Sequence, residues 1–204
     1  KLLLSFSWWT NRKDEDGDFL FAGGFLGLDN IGPFDRSAPL PPGVRLEQAD
    51  GTGWMASFCL GMLEIALVLA AEDPAYEDMI VKFAEHFMYI AAAMNRPGDD
   101  GMWDEEDGFY YDLLRLPDGS AQRLKVRSLV GLLPLCATTV VEAAAREQVP
   151  GAMAQILERM RRMPHARLRR PAPCAATAIR SHRRRIAENR HGGDARRSRR
   201  QPVS

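Results

Sequence analysis

Residues 54–71, WMASFCLGMLEIALVLAA, predict a helix that is apolar on almost every face. Asp50 and Thr52 precede it, and both are suitable N-cap residues. Because apolar side chains surround the helix, we expect it to be buried on most sides. Gly61 and Glu64 interrupt the apolar run short of the roughly 18 residues that a membrane span needs, so no membrane partner is expected.

Residues 75–95, AYEDMIVKFAEHFMYIAAAMN, predict a second helix of a different kind. Asp73 and Pro74 end the first helix and open this one. Its apolar residues recur at spacings of three and four, which leaves Asp78, Lys82 and Glu85 on the opposite face. A buried inner helix followed by an amphipathic outer helix is typical of a toroid of concentric helices, and a helical solenoid shows the same alternation.

The other predicted elements are less regular. Residues 10–48 are rich in glycine and proline and are expected to form loops. Residues 109–116 and 121–126 predict a β-hairpin around Pro117-Asp118-Gly119-Ser120. A third helix is predicted over 128–148, and a fourth begins near Pro150.

Charge divides the chain into two parts. Residues 1–157 contain 12 Lys and Arg against 24 Asp and Glu, whereas residues 158–204 contain 15 Arg, no Lys and 3 acids. All 17 aromatic residues lie in the first part. We therefore divide the chain at 160, with 161–204 as a basic tail that is either natively disordered or the product of a frameshift in a GC-rich gene. A nucleic-acid-binding arm is the remaining alternative and is not favoured.

The three cysteines, Cys59, Cys136 and Cys174, are widely separated. Cys59 and Cys136 lie in apolar runs, so they are expected to be buried and unpaired in a reducing compartment. This favours a cytoplasmic location. No Cys/His pair has metal-ligand spacing, so neither a metal nor a cofactor is expected. The chain opens at Lys1 in an apolar helical phrase, which predicts that the sequence starts inside an element.

Residues 23–37, GGFLGLDNIGPFDRS, are the most distinctive candidate for a site. Two carboxylates, Asp29 and Asp35, share this glycine-dense segment with Asn30 and Arg36. Nearby aromatic residues would provide apolar walls, which raise a carboxyl pKa as a general acid requires. The structural alternative is that both aspartates cap turns or pair with Arg36.

Four phrases in order carry a family resemblance: residues 23–56, 73–95, 101–119 (GMWDEEDGFYYDLLRLPDG) and 123–137 (RLKVRSLVGLLPLCA). Over about residues 1–160 the chain resembles the bacterial glucosidase-like and mannosylglycerate-hydrolase-like members of glycoside hydrolase family 63. The resemblance implies an all-α fold, here a partial (α/α)6 barrel (a six-hairpin toroid) with a small β-hairpin insertion and a disordered Arg-rich tail. It also implies an inverting hydrolase of α-linked glucosyl or mannosyl groups, in oligosaccharides or glycosylglycerates.

The resemblance also implies roles for individual residues. The general acid of this family and of the trehalases lies in a phrase of the form Gly-x-Asp-(Asn/Phe)-Ser-x-Arg, which Gly27-Leu28-Asp29-Asn30 matches at its start. Asp29 is therefore the expected acid, and Asn30 a substrate contact. Residues 31–34 intervene before Asp35-Arg36-Ser37, so Asp35 is the alternative acid and Arg36 the expected sugar-binding arginine.

Further substrate contacts are expected from two other places. In the related trehalases the helix after the acid opens with polar sugar contacts, and Glu47, Gln48 and Asp50 occupy the corresponding place, with Gln48 as the expected substrate contact. Trp103 and Asp104 are the other expected substrate contacts. The alternative is that they have a structural role in a loop.

The catalytic base of this family is a glutamate near the end of the barrel, downstream of every matched phrase. An inverting mechanism needs both groups. We therefore expect the chain to be an incomplete hydrolase without activity of its own, whose partner is a carbohydrate and whose oligomeric state is open. An α-helical scaffold or interaction module is the competing class, although residues 1–160 contain no repeat of about 30 to 45 residues.

Overall fold

The computed structural model describes residues 1–11, 19–21, 35–36 and 38–163. These residues belong to a compact unit that spans Lys1–Ala166. The predicted basic tail lies outside the described residues apart from 161–163, where a helix ends at Arg162. The division of the chain at 160 therefore stays a prediction.

The described residues form five α-helices: α1 (Leu2–Thr10), α2 (Ala49–Ala70), α3 (Glu77–Met94), α4 (Ala143–Gln148) and α5 (Pro150–Arg162). The apolar opening phrase forms α1, and the predicted first, second and fourth helices are confirmed as α2, α3 and α5. The α2–α3 connection includes a 3-10 turn at Pro74–Tyr76, which the Asp73 side chain caps by accepting from the Ala75 N–H at 2.9 Å. Such a short connection makes α2 and α3 a helical hairpin.

The strands form two small antiparallel sheets. β1 (Arg45–Glu47), β4 (Asp112–Arg115) and β5 (Ala121–Leu124) form the first in the order β1-β4-β5, and β2 (Trp103–Asp104) pairs with β3 (Phe109–Tyr110) in the second. The predicted hairpin around residues 117–120 is confirmed by the β4–β5 pairing, in which Asp112 lies opposite Leu124. β1, which joins β4 with Arg45 opposite Arg115, was not predicted.

The core lies between α2 and α3, with α5 against α3 and α1 closing one side. Phe6 of α1 packs edge-on against Phe83 of α3, with ring centroids 4.9 Å apart. Leu113 of β4 and Met102, both fully buried, join the sheets to this core. Cys59 is buried as expected, whereas Cys136 is exposed, contrary to the prediction.

The predicted fold class, an all-α partial six-hairpin toroid, is wrong. The described residues contain one long helical hairpin, shorter helices and two antiparallel sheets. The predicted third helix, 128–148, is replaced by two 3-10 turns (Leu129–Gly131 and Leu133–Cys136), an irregular stretch and the short α4. Pro134 removes a backbone donor, and the β-branched run Thr138-Thr139-Val140-Val141 disfavours helix.

Candidate active site

A buried polar cluster lies at the N-terminal end of α2. It comprises Arg36, Gln48, Asp50 and Asp112, and we call it the Arg36 cluster. Each of these residues is at most 7 % exposed. Three come from the turn before β1 or from the start of α2, and Asp112 comes from β4. The sheet pairing of β1 with β4 therefore brings Asp112 to the start of the helix.

The Arg36 guanidinium lies between two carboxylates. Nη1 donates to Asp50 Oδ2 at 3.2 Å, and Nη2 pairs with Asp50 Oδ1. On its other edge, Nε lies 2.9 Å from Asp112 Oδ2. A fork bound to one carboxylate and flanked by a second is held in a fixed orientation. One positive charge against two negative ones also leaves the cluster with a net negative charge when both carboxyls are ionised.

Asp112 caps α2 from outside the helix. Its Oδ1 accepts the Ala49 N–H at 2.8 Å, so a strand residue satisfies one of the free donors of the first turn. Burial raises the pKa of Asp112 to about 6, although the Ala49 N–H and the Arg36 charge act in the opposite direction. The predicted N-caps Asp50 and Thr52 are wrong, because the N-cap residue is Gln48, two and four residues earlier.

The backbone on both sides of residues 22–34 is attached to the first turn of α2. On one side, Phe21 O accepts the Gln48 N–H at 3.1 Å, and the Phe21 N–H donates to Thr52 Oγ1 at 3.0 Å. On the other side, Gln48 Nε2 donates to Arg36 O at 3.1 Å. The described residues on either side of the predicted acid, Phe21 and Arg36, are therefore both hydrogen-bonded to the same helix end. Asp29 and Asn30 themselves lie outside the described residues.

Asp35, the alternative acid, is exposed at the start of a turn in which its carbonyl accepts the Ala38 N–H at 3.3 Å. Arg36 has the carboxylates of Asp50 and Asp112 beside its guanidinium, and its predicted contact with sugar stays a prediction. Gln48 is 1 % exposed, and no described residue donates to its Oε1.

Trp103 and Asp104 belong to a second group of residues on the β2–β3 hairpin. Asp104 Oδ2 lies 2.8 Å from Lys125 Nζ, and its Oδ1 accepts the Asp107 N–H at 2.9 Å. Hydrogen bonding from Lys125 lowers the pKa of Asp104. The Trp103 ring lies against Tyr110, with centroids 4.9 Å apart. These contacts support the structural alternative for Asp104.

Asp112 and Arg115 were not predicted to pair with the buried charged residues Arg36 and Glu47. Arg115 pairs with Glu47 and lies 3.1 Å from Asp100 through its Nη1. The sequence feature that could have indicated these residues is the strand Asp112-Leu113-Leu114-Arg115, which has a charged residue at each end. Nothing in that pattern identifies the partners, because both pairings depend on β1.

An open cavity of about 790 Å³ runs along β5, lined by Asp99 and residues 121–126. In the described part of the chain no three His, Cys, Asp or Glu side chains are arranged to hold a metal ion. One described helix, α2, is long and apolar enough to cross a membrane by length and composition, and half of its most apolar window is buried inside the protein.

Comparison with known proteins finds a relative in yeast. The chain is 51 % identical over 164 residues to the "Uncharacterized protein YMR196W" of Saccharomyces cerevisiae (strain ATCC 204508 / S288c). The match covers 74 % of this chain and 15 % of the yeast protein, so the chain spans about 15 % of the length of that relative. No protein-family model matches the chain. No solved structure matches it either.

Proposed function

We propose that this chain is a segment of an inverting glycoside hydrolase that acts on α-linked glucosyl or mannosyl groups, in oligosaccharides or glycosylglycerates. The support comes from the four phrases that resemble glycoside hydrolase family 63. The name of the yeast relative assigns no activity, so the proposal rests on the residues of this chain.

One structural observation carries the proposal further. Phe21 and Arg36, which flank residues 22–34, are both hydrogen-bonded to the start of α2. A general acid must be held in a fixed position to protonate a leaving oxygen. Anchoring both ends of its segment on one helix end, beside two buried carboxylates, is a suitable arrangement for that task.

The proposed roles follow from these contacts. Asp29 is the general acid, and Arg36 positions its segment through Asp50 and Asp112 without touching the sugar. The base is a glutamate outside the matched phrases, about 6.5–9.5 Å from the acid in the assembled enzyme. The 204-residue chain by itself is therefore expected to show no turnover.

The test uses a fusion in which residues 1–163 replace the aligned segment of the yeast relative. We expect this fusion to hydrolyse an α-glucoside or α-mannoside with inversion, detected by NMR of the first-formed anomer. Asp29→Asn should lower kcat by about 10²–10⁴-fold, the usual contribution of general acid catalysis.

Asp118→Asn is the matched control, because Asp118 lies in an exposed turn where it caps Ser120. It should leave kcat unchanged. Absence of hydrolysis across the α-glucosides and α-mannosides in a folded fusion, or an unaffected Asp29→Asn variant, would contradict the proposal. Turnover by the isolated chain would contradict the claim that the base lies elsewhere.

A further inference from the structure

The Arg36 cluster contains unequal numbers of buried charges. The guanidinium of Arg36 faces the carboxylates of Asp50 and Asp112, and each of these three residues is at most 7 % exposed. Because water does not reach them, an excess charge among them is costly, and such a group is stabilised when it takes up a proton. The cluster is electrically neutral when one of its two carboxyls is protonated.

Hydrogen bonds indicate which carboxyl takes up the proton. Asp50 accepts three of them, from Nη1 and Nη2 of Arg36 and from the Gly51 N–H at 2.9 Å. Among the described residues, Asp112 accepts one, from the Ala49 N–H at 2.8 Å, beside its ion pair with Arg36 Nε. Donors of this kind stabilise the ionised form of a carboxyl. Asp112, which has fewer of them, is therefore the site of the proton.

The neighbours of Asp112 support this assignment. Burial has the largest effect and raises its pKa to about 6, and the charge of Asp50 acts in the same direction. The Ala49 N–H and the charge of Arg36 act in the opposite direction. The residue opposite Asp112 on β5 is the apolar Leu124. The charged groups that face Asp112 are thus Arg36, from the turn before β1, and Asp50, from α2.

The same contacts attach the chain at residue 36 to the start of α2. When the Arg36 side chain leaves the cluster, water enters and Asp112 returns to its ordinary pKa of 3.8. Below about pH 4 both the closed and the open state carry the proton, whereas up to about pH 6 only the closed state keeps it. The stability of the closed state is therefore complete in acid and is lost as the pH rises through 6.

We propose that the Arg36 cluster is a proton-dependent clamp, which holds residue 36 against the start of α2 in acid and lets it detach near neutral pH while the α2–α3 core stays folded. Arg36 lies in a turn outside the helices and strands, so it can detach by a local opening. This inference does not depend on the proposed hydrolase activity.

Tryptic cleavage after Arg36 in the 204-residue chain measures the opening. Trypsin binds the arginine side chain in its specificity pocket, so Arg36 must leave the cluster before the bond after it is cut. Cleavage after Arg127 is the internal reference, because that side chain is 64 % exposed and serine follows both arginines. At low protease concentration the ratio of the two initial rates, read by mass spectrometry, reports the population of the open state.

We expect this ratio to rise about tenfold between pH 5 and pH 7.5, the change that linkage gives when opening lowers the pKa of Asp112 from about 6 to 3.8. Asp112→Asn cannot titrate but can still accept the Ala49 N–H, so its ratio should not change with pH. A wild-type ratio that is constant or falls with pH would overturn the proposal. So would an equal rise in Asp112→Asn.

Cys59 reports whether the opening is local, because it is fully buried in the core. Its reaction with a maleimide, read on the peptide that contains it, should stay much slower than cleavage after Arg36 at pH 7.5. Equal rates of labelling and cleavage would show global unfolding and overturn the clamp.

Hydrogen exchange at the Ala49 amide of the wild type decides the matter if Asp112→Asn does not fold. This amide donates to Asp112, so its protection factor should fall about tenfold from pH 5 to pH 7.5. A protection factor that does not change over this range would overturn the proposal.

Discussion

Asp112 couples the start of α2 to pH. Burial raises its pKa to about 6 in the folded chain, from an ordinary value of 3.8. The folded state therefore retains this proton between about pH 4 and 6, where the unfolded state releases it. The contribution of Asp112 to stability is complete below pH 4 and is lost as the pH rises through 6, with a full amplitude of about 3 kcal/mol.

The comparison of wild type with Asp112→Asn isolates this effect, because the variant cannot titrate at that position. The free energy of unfolding of the wild type, minus that of the variant, should decrease between pH 4 and 7 in urea titrations. A difference that stays constant or increases over this range would contradict the assignment.

Arg36 is expected to be the most costly single residue to remove. Arg36→Met leaves Asp50 and Asp112 buried together without their cation, and breaking a buried pair in this way costs about 3–5 kcal/mol. Urea denaturation measures the loss. Arg127→Met is the control, because the Arg127 side chain is 64 % exposed and its pairing with Asp107 contributes little. Similar losses in the two variants would refute the role of Arg36.

At the scale of single residues, the sequence predicts part of the candidate site. Arg36 and Gln48 were selected as functional residues, and the structure brings them together with Asp50. Asp112 could not be assigned, because its neighbours Arg36 and Ala49 are distant in sequence and meet it only through a strand pairing. The two carboxylate partners of Arg36 could not be assigned from the sequence for the same reason, since Asp112 is 76 residues away.

At the scale of elements, two glycines of α2 make a matched pair. A Cβ on Gly53 would lie 2.8 Å from Pro134 Cα, whereas a Cβ on Gly61 would meet nothing within 4 Å. Gly53→Ala should therefore destabilise the protein by about 1–3 kcal/mol, the usual cost of overpacking. Gly61→Ala should stabilise it by up to about 1 kcal/mol through helix propensity.

Thermal or urea unfolding of the two variants checks this prediction. The helix-propensity gain is common to both, so the difference between them reports the contact of α2 with the second 3-10 turn. A Gly53→Ala variant as stable as Gly61→Ala would show that this contact is absent in solution.

The elements that the sequence predicted are those defined by local pattern. α2, α3 and α5 follow from apolar spacing, and β4 and β5 follow from the turn between them. β1 was missed because its three residues carry no pattern of their own and become a strand by pairing with β4. The third helix was predicted from apolar content alone, although Pro134 and the run of β-branched residues argued against it.

For the whole molecule, two exposed apolar side chains of α2, Ile65 (42 % exposed) and Val68 (72 %), predict the solution behaviour of the isolated chain. Exposed apolar surface of this kind favours self-association. Val68→Asp should reduce both binding of an apolar dye and light scattering on heating. Leu157→Asp, at a comparably apolar position on α5, should change them less. Equal effects of the two substitutions would indicate general surface apolarity as the cause.

The pairing of β1 with β4 also has a consequence for folding during synthesis, because the contacts of Arg36, Glu47 and Ala49 with β4 can form only after β4 has been made. Arg115 pairs with Glu47 across 68 residues, and Asp112 caps Ala49 across 63. A ribosome therefore synthesises Arg36, Asp50 and the start of α2 long before it makes the strand that completes their ion pairs and caps. Until then the guanidinium and its single carboxylate remain hydrated, and the start of α2 frays. β4 therefore completes the contacts that hold the start of α2 in place. Nascent chains halted before residue 112 should be cut readily by proteases near residues 36–50.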